Sequence, residues 1–294
     1  MSTANVLART TARTPARRTS RTTAGTVVKH AVLILTGALV AYPFYFMLTA
    51  SVKGFFEASA VPPTIFPREL HFENYVTAWG MANWPRYFAN TVFIAVVNTT
   101  GELVTSILAA YAFARMNFKG KAALFALLLA TYMMPAEATL IPNFVIVSKR
   151  YLNLYDTYAV QILPFLATAF SIFLLRQQFL SIPNELRDAA VIDGAGHLRF
   201  LWSVVLPISV PALVTVAILS FYGSWNSFQW PLIVTSNPDI RPIQVALNAF
   251  RAEAGSSYHL LMAAAAFVVA PVALLYLVGQ RYLVQGIART GIRG

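Results

Sequence analysis

Residues 181–198 read SIPNELRDAAVIDGAGHL. An early proline, acidic residues in the first turns and a closing glycine predict a short helix here; the residues are Pro183, Glu185, Asp188 and Gly194. One face of this helix would be nearly bare, because it consists of Ala189, Ala190, Gly194 and Ala195. Such a face suits a helix that binds in a groove of a partner protein. A helix lying flat on the lipid surface is the alternative.

The composition of the whole chain excludes a water-soluble globular protein. Of its 294 residues, 57% are hydrophobic and 11% are charged, against about 25% charged residues in an ordinary soluble domain. The 22 basic and 11 acidic residues cannot cover the surface of a soluble domain of this length. The chain has no cysteine, which excludes disulfides, thiolate metal sites and cysteine nucleophiles. We therefore predict a membrane protein.

Six apolar runs are candidates for membrane-spanning helices. They lie at about residues 27–50, 87–114, 122–147, 158–175, 208–230 and 258–284. Residues 1–26 are rich in Thr, Ala and Arg without an acidic residue, and we interpret them as a disordered cytoplasmic tail. A twin-arginine signal or a transit peptide is the alternative. It is disfavoured because residues 27–50 can span a bilayer and no small-residue cleavage site follows.

The basic residues predict the orientation of the spans. If the N-terminus is cytoplasmic, most of the 22 basic residues fall in cytoplasmic segments, as the positive-inside rule requires. With six spans, both termini are then cytoplasmic. The net charge of the chain is +11, and the positions of its basic residues favour anionic lipid over nucleic acid as the binding partner.

Polar residues recur on single faces of the predicted spans. The second span carries Thr91, Asn98, Glu102 and Thr105 on one face, and the fourth carries Gln161, Thr168 and Ser171. Glu102 and Glu137 are the acidic residues inside spans, and a charge at mid-bilayer costs about 2.5–3.5 kcal/mol unless it faces a cavity or a partner. We predict a translocation pathway lined or supported by Asn98, Glu102, Asn226 and Ser227. The alternative is that these polar side chains only form hydrogen bonds that hold the helices together.

The segment 181–207 resembles the EAA loop of binding-protein-dependent ABC importer permeases. That pattern is Glu-Ala-Ala, three residues, Gly, nine residues and Ile-x-Leu-Pro; here Asp188-Ala189-Ala190, Gly194 and the VVLP of residues 204–207 occupy these positions. Asp188 replaces Glu and Val204 replaces Ile.

The resemblance extends over about residues 27–294 and is closest to maltose-type carbohydrate permeases, in particular the smaller subunit of a two-permease pair. It is carried by four further segments: AAYAFAR at 109–115, LIP at 140–142, WN at 225–226 with WPL at 230–232, and GIARTGIRG at 286–294.

The resemblance implies an all-α, six-helix MetI-like permease bundle in the cell membrane, with both termini cytoplasmic. It implies a carbohydrate importer, for a sugar, an oligosaccharide or glycerol 3-phosphate. The implied partners are an extracytoplasmic solute-binding protein, a second homologous permease and an ATPase dimer. The ATPases would grip the coupling residues Glu185, Asp188, Ala189, Ala190, Asp193, Gly194, Ala195 and Pro207.

The chain has no Gly-x-x-x-x-Gly-Lys-Ser/Thr phosphate loop. We therefore expect ATP and Mg to be bound by the partner ATPase subunits. In this chain we expect no cofactor, no metal ligand and no catalytic residue.

The glycine-spaced terminus predicts an extended tail. We expect residues 285–294 to leave the sixth helix and to enter the interface between the ATPase subunits, with contacts from Gly286, Arg289, Gly291 and Arg293. Alternatively, both arginines only enforce orientation at anionic lipid.

Two other functional classes remain open from the residues alone. An ion-coupled secondary transporter would use an ionised Glu102. An intramembrane enzyme would pair Glu102 with a histidine, but the four histidines are isolated and no His-Glu-x-x-His motif occurs.

Overall fold

The computed structural model describes residues 22–255 and 257–291, and within them the regular elements are helices. In chain order these are α1 (Thr22–Ser51), α2 (Phe55–Ala58), α3 (Glu73–Gly80), α4 (Trp84–Arg115), α5 (Lys121–Tyr132), α6 (Ala136–Val147), α7 (Tyr158–Ile162), α8 (Ala169–Leu180), α9 (Asn184–Ile192), α10 (His197–Phe200), α11 (Leu206–Ile208), α12 (Val210–Trp225), α13 (Gln229–Val234), α14 (Ile243–Ala254) and α15 (Tyr258–Gly291). Leu163–Phe165 and Pro238–Ile240 form 3₁₀ turns, and Leu201–Val205 forms a π-helical turn. The described residues divide into two compact units between Phe46 and Met47, and the site described below lies in the second.

Within the described residues, four segments are long and apolar enough to cross a membrane alone: Gly25–Ser51, Trp84–Arg115, Tyr158–Leu180 and Tyr258–Val278. Two bent pairs also qualify when each is taken as one span. They are α5 with α6, bent by 99°, and His197–Ile208 with α12, bent by 81°. The predicted six spans are reached when both bent pairs are counted.

The third predicted span, residues 122–147, is present as a bent pair of helices and not as one continuous helix. It consists of α5 and α6, which meet at Pro135. Proline has no backbone N–H and disfavours helical geometry at the preceding residue, so α5 ends before it. The amides of Met133 and Met134 bond back to Ala130 O and Thr131 O at 3.2 Å, which closes α5 with a tight turn.

The fourth and fifth predicted spans also differ from the structure. The fourth, residues 158–175, continues to Leu180 and is interrupted between α7 and α8, because Pro164 stands in the 3₁₀ turn. The fifth, residues 208–230, is a continuous helix only from Val210 to Trp225, because α11 ends at Ile208 and α13 is a separate helix. Asn226 ends α12: its side-chain amide donates to Tyr222 O at 2.9 Å and so competes with helix continuation.

Both predicted tails have different boundaries. α1 begins at Thr22, inside the predicted 1–26 tail, and residues 1–21 lie outside the described part. The predicted exit of residues 285–294 from the sixth helix is wrong, since α15 runs to Gly291. An isolated glycine costs a helix only about 1 kcal/mol, and four helix-compatible residues separate Gly286 from Gly291. Arg293 lies outside the described residues.

The long helix α4 is the centre of the second unit, and it packs mainly against α8 and α12. A Cβ at Gly101 would lie 2.4 Å from Leu166 Cδ2, so glycine lets α4 approach the break between α7 and α8. Carbonyls freed by that break are hydrogen-bonded from α4: Thr105 Oγ1 donates to Leu166 O. Asn98 Nδ2 donates to Gln161 O at 3.3 Å. This satisfies backbone groups that lipid cannot.

We predict that Thr105→Val destabilises the protein by roughly 1–3 kcal/mol, because it keeps the side-chain shape and leaves the Leu166 carbonyl without its donor. Thermal unfolding of the purified protein in detergent measures the change. Thr139→Val is the matched control, since the exposed Thr139 hydroxyl donates to Ala136 O within its own helix. Equal melting temperatures for the two variants would contradict the role given to Thr105.

Candidate functional site: a membrane cavity and an exposed coupling helix

A cavity of about 550 Å³ lies between α4, the α7–α8 break and α12. Its polar lining comprises Thr91, Asn98, Glu102, Gln161, Thr168, Ser171, Ser220, Ser224 and Ser227. Of the four predicted pathway residues, Asn98, Glu102 and Ser227 line this cavity. Asn226 does not line it; Asn226 is exposed at the end of α12 and accepts from Gln244 Nε2 at 3.4 Å.

Glu102 is buried, with 6% of its surface exposed, and is held by three hydroxyl groups. Thr168 Oγ1 and Ser171 Oγ donate to Glu102 Oε1 at 2.5 and 2.6 Å, and Ser220 Oγ donates to Oε2 at 2.5 Å. These distances are typical of hydroxyl bonds to a carboxylate. The three donors come from the start of α8 and from α12, so the carboxylate joins α4, α8 and α12 at one point.

Asn98 and Gln161 form the second polar cluster of the cavity. Asn98 Nδ2 donates to Gln161 O and, at 3.2 Å, to Ser224 Oγ. Gln161 Nε2 donates to Ile240 O at 3.1 Å. The side-chain oxygens Asn98 Oδ1 and Gln161 Oε1 are both buried and have no hydrogen-bond partner.

The loop at residues 235–243 is fixed against α4 at one end of the cavity. Asn90 Nδ2 donates to Asp239 O at 2.8 Å and to Arg241 O at 3.0 Å, and Tyr158 OH donates to Asn90 Oδ1 at 2.7 Å. Thr91 Oγ1 accepts from the Ile243 amide at 2.7 Å. The pathway prediction did not include this loop or Ser220. Serines at 220, 224 and 227 follow an i, i+4, i+7 spacing that would have indicated a polar face on α12.

Glu137, the second predicted intramembrane acid, is not part of the cavity. It lies in the first turn of α6, directly after the break at Pro135, and is exposed. A carboxylate in the first turn is favourably placed with respect to the helix dipole. The break therefore accounts for Glu137 without a pathway role.

The predicted short helix is present as α9, and its end is a Schellman motif. The Gly194 amide donates to Val191 O at 3.0 Å, and the Ala195 amide donates to Ala190 O at 2.8 Å. Gly194 has φ +75°, in the left-handed region where a side chain is strained. A Cβ there would meet nothing within 4 Å, so within this chain Gly194 is explained by backbone geometry and not by crowding.

Arg115, at the end of α4, anchors α9 to the bundle. Its Nη1 donates to Asn184 Oδ1 at 2.7 Å, and its Nη2 donates to Phe179 O at 2.6 Å and to Ile182 O. Arg187 Nη1 donates in return to Arg115 O at 2.9 Å. Tyr111 OH and His197 Nδ1, 3.0 Å apart, connect α4 with the segment after α9. The sequence patterns did not indicate these anchoring residues, because contacts between residues far apart in the chain produce no regular spacing along the sequence.

The outer face of α9 is solvent-exposed. The predicted coupling residues on it are Glu185, Asp188, Ala189, Asp193 and Gly194. Ala190 and Ala195 are half-buried towards the bundle, and Pro207 lies apart in α11. Large apolar side chains are exposed beside the acidic ones, with Ile192 86% and Val191 60% accessible. A short helix rigidly held on one side and bare on the other is suited to receive force from a partner.

The family comparison agrees with this arrangement. Residues 102–289 match the model of the family described as "Binding-protein-dependent transport system inner membrane component". The chain belongs to this family. It is therefore an ABC importer permease, a transport subunit of the cell membrane and not an enzyme, which decides between the three classes left open above.

Curated relatives cover most of the permease. It is 35% identical over 260 residues to the probable ABC transporter permease protein YurM of Bacillus subtilis, which covers 87% of this chain and 84% of the relative. It is 31% identical over 266 residues to the sn-glycerol-3-phosphate transport system permease protein UgpE of Yersinia pestis, covering 88% and 94%. It is 33% identical over 230 residues to the arabinooligosaccharides transport system permease protein AraQ of Halalkalibacterium halodurans, covering 78% and 81%.

Solved structures confirm the fold. The permease aligns with a chain of a bacterial ABC transporter involved in the import of the acidic polysaccharide alginate, with a TM-score of 0.78, 24% identity, and coverage of 90% of this chain and 98% of that one. A chain from a bacterial alginate ABC transporter in complex with alginate pentasaccharide-bound periplasmic protein aligns with a TM-score of 0.63 and 15% identity, covering 86% and 92%. At these identities the alignments establish the MetI-like permease fold alone.

We predict that Arg115→Lys loosens α9 on the permease. A lysine cannot reproduce the fork that reaches Asn184 and two carbonyls, so at least one charge-assisted bond of about 1.5–3 kcal/mol is lost. Amide hydrogen exchange across residues 184–192 of the reconstituted protein should rise at least tenfold. Arg199→Lys, at an exposed position of α10, is the control and should leave exchange unchanged. Unaltered exchange in Arg115→Lys would disprove the anchoring role.

We predict that the cavity is open to water. The chain has no native cysteine, so Ser224→Cys and Ser227→Cys should each react with a membrane-impermeant maleimide in at least one nucleotide state. Ser106→Cys is the control: Ser106 lies on the same α4 helix, is fully buried and does not line the cavity, so it should stay unlabelled. Protection of positions 224 and 227 in every state would mean that the polar residues are packing contacts.

Proposed function

We propose that the permease is the smaller permease subunit of an ATP-driven carbohydrate importer. It would pair with a second homologous permease, receive solute from an extracytoplasmic binding protein, and be driven by two ATPase subunits that dock on α9. The observation that carries this proposal is α9 itself. It is exposed on its outer face and is held on its inner face by Arg115, the last residue of the helix that lines the cavity.

The direct connection between α9 and α4 provides a route for mechanical coupling. Force applied to α9 would reach α4 through the Arg115 guanidinium, and α4 carries Asn98 and Glu102 in the cavity wall. ATPase closure would then rock the packed helices as a body and expose the cavity to alternate sides of the membrane. Bonds from Glu102 to α8 and α12 would make these helices move together with α4.

ATP and Mg would be bound outside this chain. The sequence has no phosphate-binding loop, so hydrolysis would take place in the partner subunits. A structural relative was solved with its periplasmic binding protein, which supports a similar partner for this permease. The end of α15, including Gly286, Arg289 and Gly291, is proposed to contact the ATPase pair as a helix and not as an extended tail. Arg293, outside the described residues, would follow it.

The relatives support a carbohydrate or a related polyol as the solute. Their names specify sn-glycerol 3-phosphate, arabinooligosaccharides and sulfoquinovosyl glycerol, which share a polyhydroxylated skeleton. The cavity lining, in which amide and hydroxyl groups stand beside aromatic rings, is compatible with such a molecule.

We predict that Ala189→Trp and Asp188→Lys prevent ATPase docking while the permease remains in the membrane. Both positions are exposed on α9, and neither has a backbone geometry that requires glycine, so the variants test docking separately from folding. Gly194→Asp should also abolish coupling, but it additionally strains a residue at φ +75°.

The measurement is recovery of the ATPase with tagged permease, together with ATP hydrolysis stimulated by the binding protein. Both should fall at least fivefold for Ala189→Trp and Asp188→Lys. Asp188→Glu is the matched control, because it keeps the charge and restores the residue of the family pattern. Normal recovery and stimulation in the two disruptive variants would overturn the proposed function of α9.

A further inference from the structure

The described residues that line the cavity include no lysine, arginine or histidine. Their charged member is Glu102, and the remaining polar members are amides and hydroxyls. An anionic solute is normally bound through cationic side chains or clustered N–H donors. The described cavity lining of this permease offers neither cationic side chains nor clustered N–H donors.

Two amide oxygens of the cavity lining are left without a donor. Asn98 Nδ2 uses both of its N–H groups, on Gln161 O and Ser224 Oγ, and Gln161 Nε2 donates one of its two N–H groups to Ile240 O, whereas neither side-chain oxygen accepts a bond. Both oxygens are unpartnered, in residues only 2% and 4% exposed. Buried amide oxygens without a partner are uncommon in native proteins, so a hydrogen-bond donor from outside the chain is expected to bind them.

Glu102 adds acceptor character to the same wall. Oε1 already accepts two hydroxyl hydrogens, whereas Oε2 accepts one, from Ser220. A carboxylate oxygen has room for a second donor. The negative charge of this group would repel a phosphate, sulfonate or uronate brought into the cavity, because like charges a few ångströms apart repel each other near protein groups more strongly than in bulk water.

We propose that this face of the pathway binds an uncharged polyhydroxylated solute, whose hydroxyl groups donate to Asn98 Oδ1, Gln161 Oε1 and Glu102 Oε2, and that it rejects anionic sugars. The inference rests on the proposed function and makes it more specific. Apolar faces of such a solute would lie against the aromatic lining residues Tyr132, Phe165 and Phe170.

The test uses the complete transporter in proteoliposomes, with its binding protein outside and ATP inside. The neutral probes are arabinotriose and maltotriose, and the anionic probes are sn-glycerol 3-phosphate and an alginate trisaccharide. We expect ATP-dependent uptake of at least one neutral probe to exceed uptake of both anions by at least tenfold.

Two substitutions at position 161 isolate the free acceptor. Gln161→Leu and Gln161→Glu both lose the donation to Ile240 O, but only Gln161→Glu keeps an acceptor oxygen. Gln161→Leu should reduce neutral uptake at least tenfold, while Gln161→Glu retains at least a third of it. Ser106→Ala, which changes a buried hydroxyl of α4 outside the cavity, should stay within twofold of the original protein.

Anion uptake equal to or above neutral uptake would overturn the inference, as would equal uptake by the leucine and glutamate variants. Uptake of none of the four probes, with ATP hydrolysis still stimulated by the binding protein, would overturn it as well and leave the coupling function standing. Loss of both uptake and stimulation in the unmodified transporter would instead overturn the proposed function.

Discussion

Hydrogen bonds from α4 to the broken membrane helices are the interactions on which the rest of the structure depends. In a bilayer, each backbone group released by a helix break must find a partner within the protein. Thr105 and Asn98 supply such partners to the α7–α8 break, and Asn90 supplies them to the loop after α13. Gly101 lets the elements come close enough for these bonds to form. The breaks are tolerated because one continuous helix, α4, carries polar side chains along its length.

The same breaks create the cavity. Continuous helices would pack their side chains along the whole contact, whereas the interrupted span between α7 and α8 leaves space beside α4 and exposes polar groups to it. Glu102 then joins three helices through hydroxyl bonds on the cavity wall. The group that stabilises the bundle is therefore also a group that a solute meets. From the sequence, Glu102 could either line a translocation pathway or hold helices together by hydrogen bonds. In the structure the same carboxylate is placed to do both.

α4 also links the cavity to the coupling helix. Its 32 residues, Trp84–Arg115, would extend about 48 Å at 1.5 Å per residue, and they include Asn90 at the loop contacts, Glu102 in the cavity wall and Arg115 at the end. Arg115 holds α9 through a rigid planar guanidinium, and Arg187 returns a bond to the end of α4. A movement of α9 is thus transmitted to the residues around the cavity by one continuous helix, and no flexible linker lies between the two sites.

The sequence by itself determined the membrane location, the all-α class, the position of α9 and the polar face of α4, because composition and local spacing report burial, periodicity and helix ends directly. Pro135 and Pro164 mark positions where a helix can break, but the extent of each break was decided by the tertiary structure, since a proline in a membrane helix bends or interrupts it according to which neighbours can bond the freed groups. The tertiary structure alone decided that Ser220 reaches Glu102, that Asn226 leaves the cavity and that Arg115 anchors α9. These outcomes depend on contacts between residues far apart in the chain, which no local pattern encodes. α15 continued through Gly286 for a similar reason, because isolated glycines weaken a helix without setting where it ends.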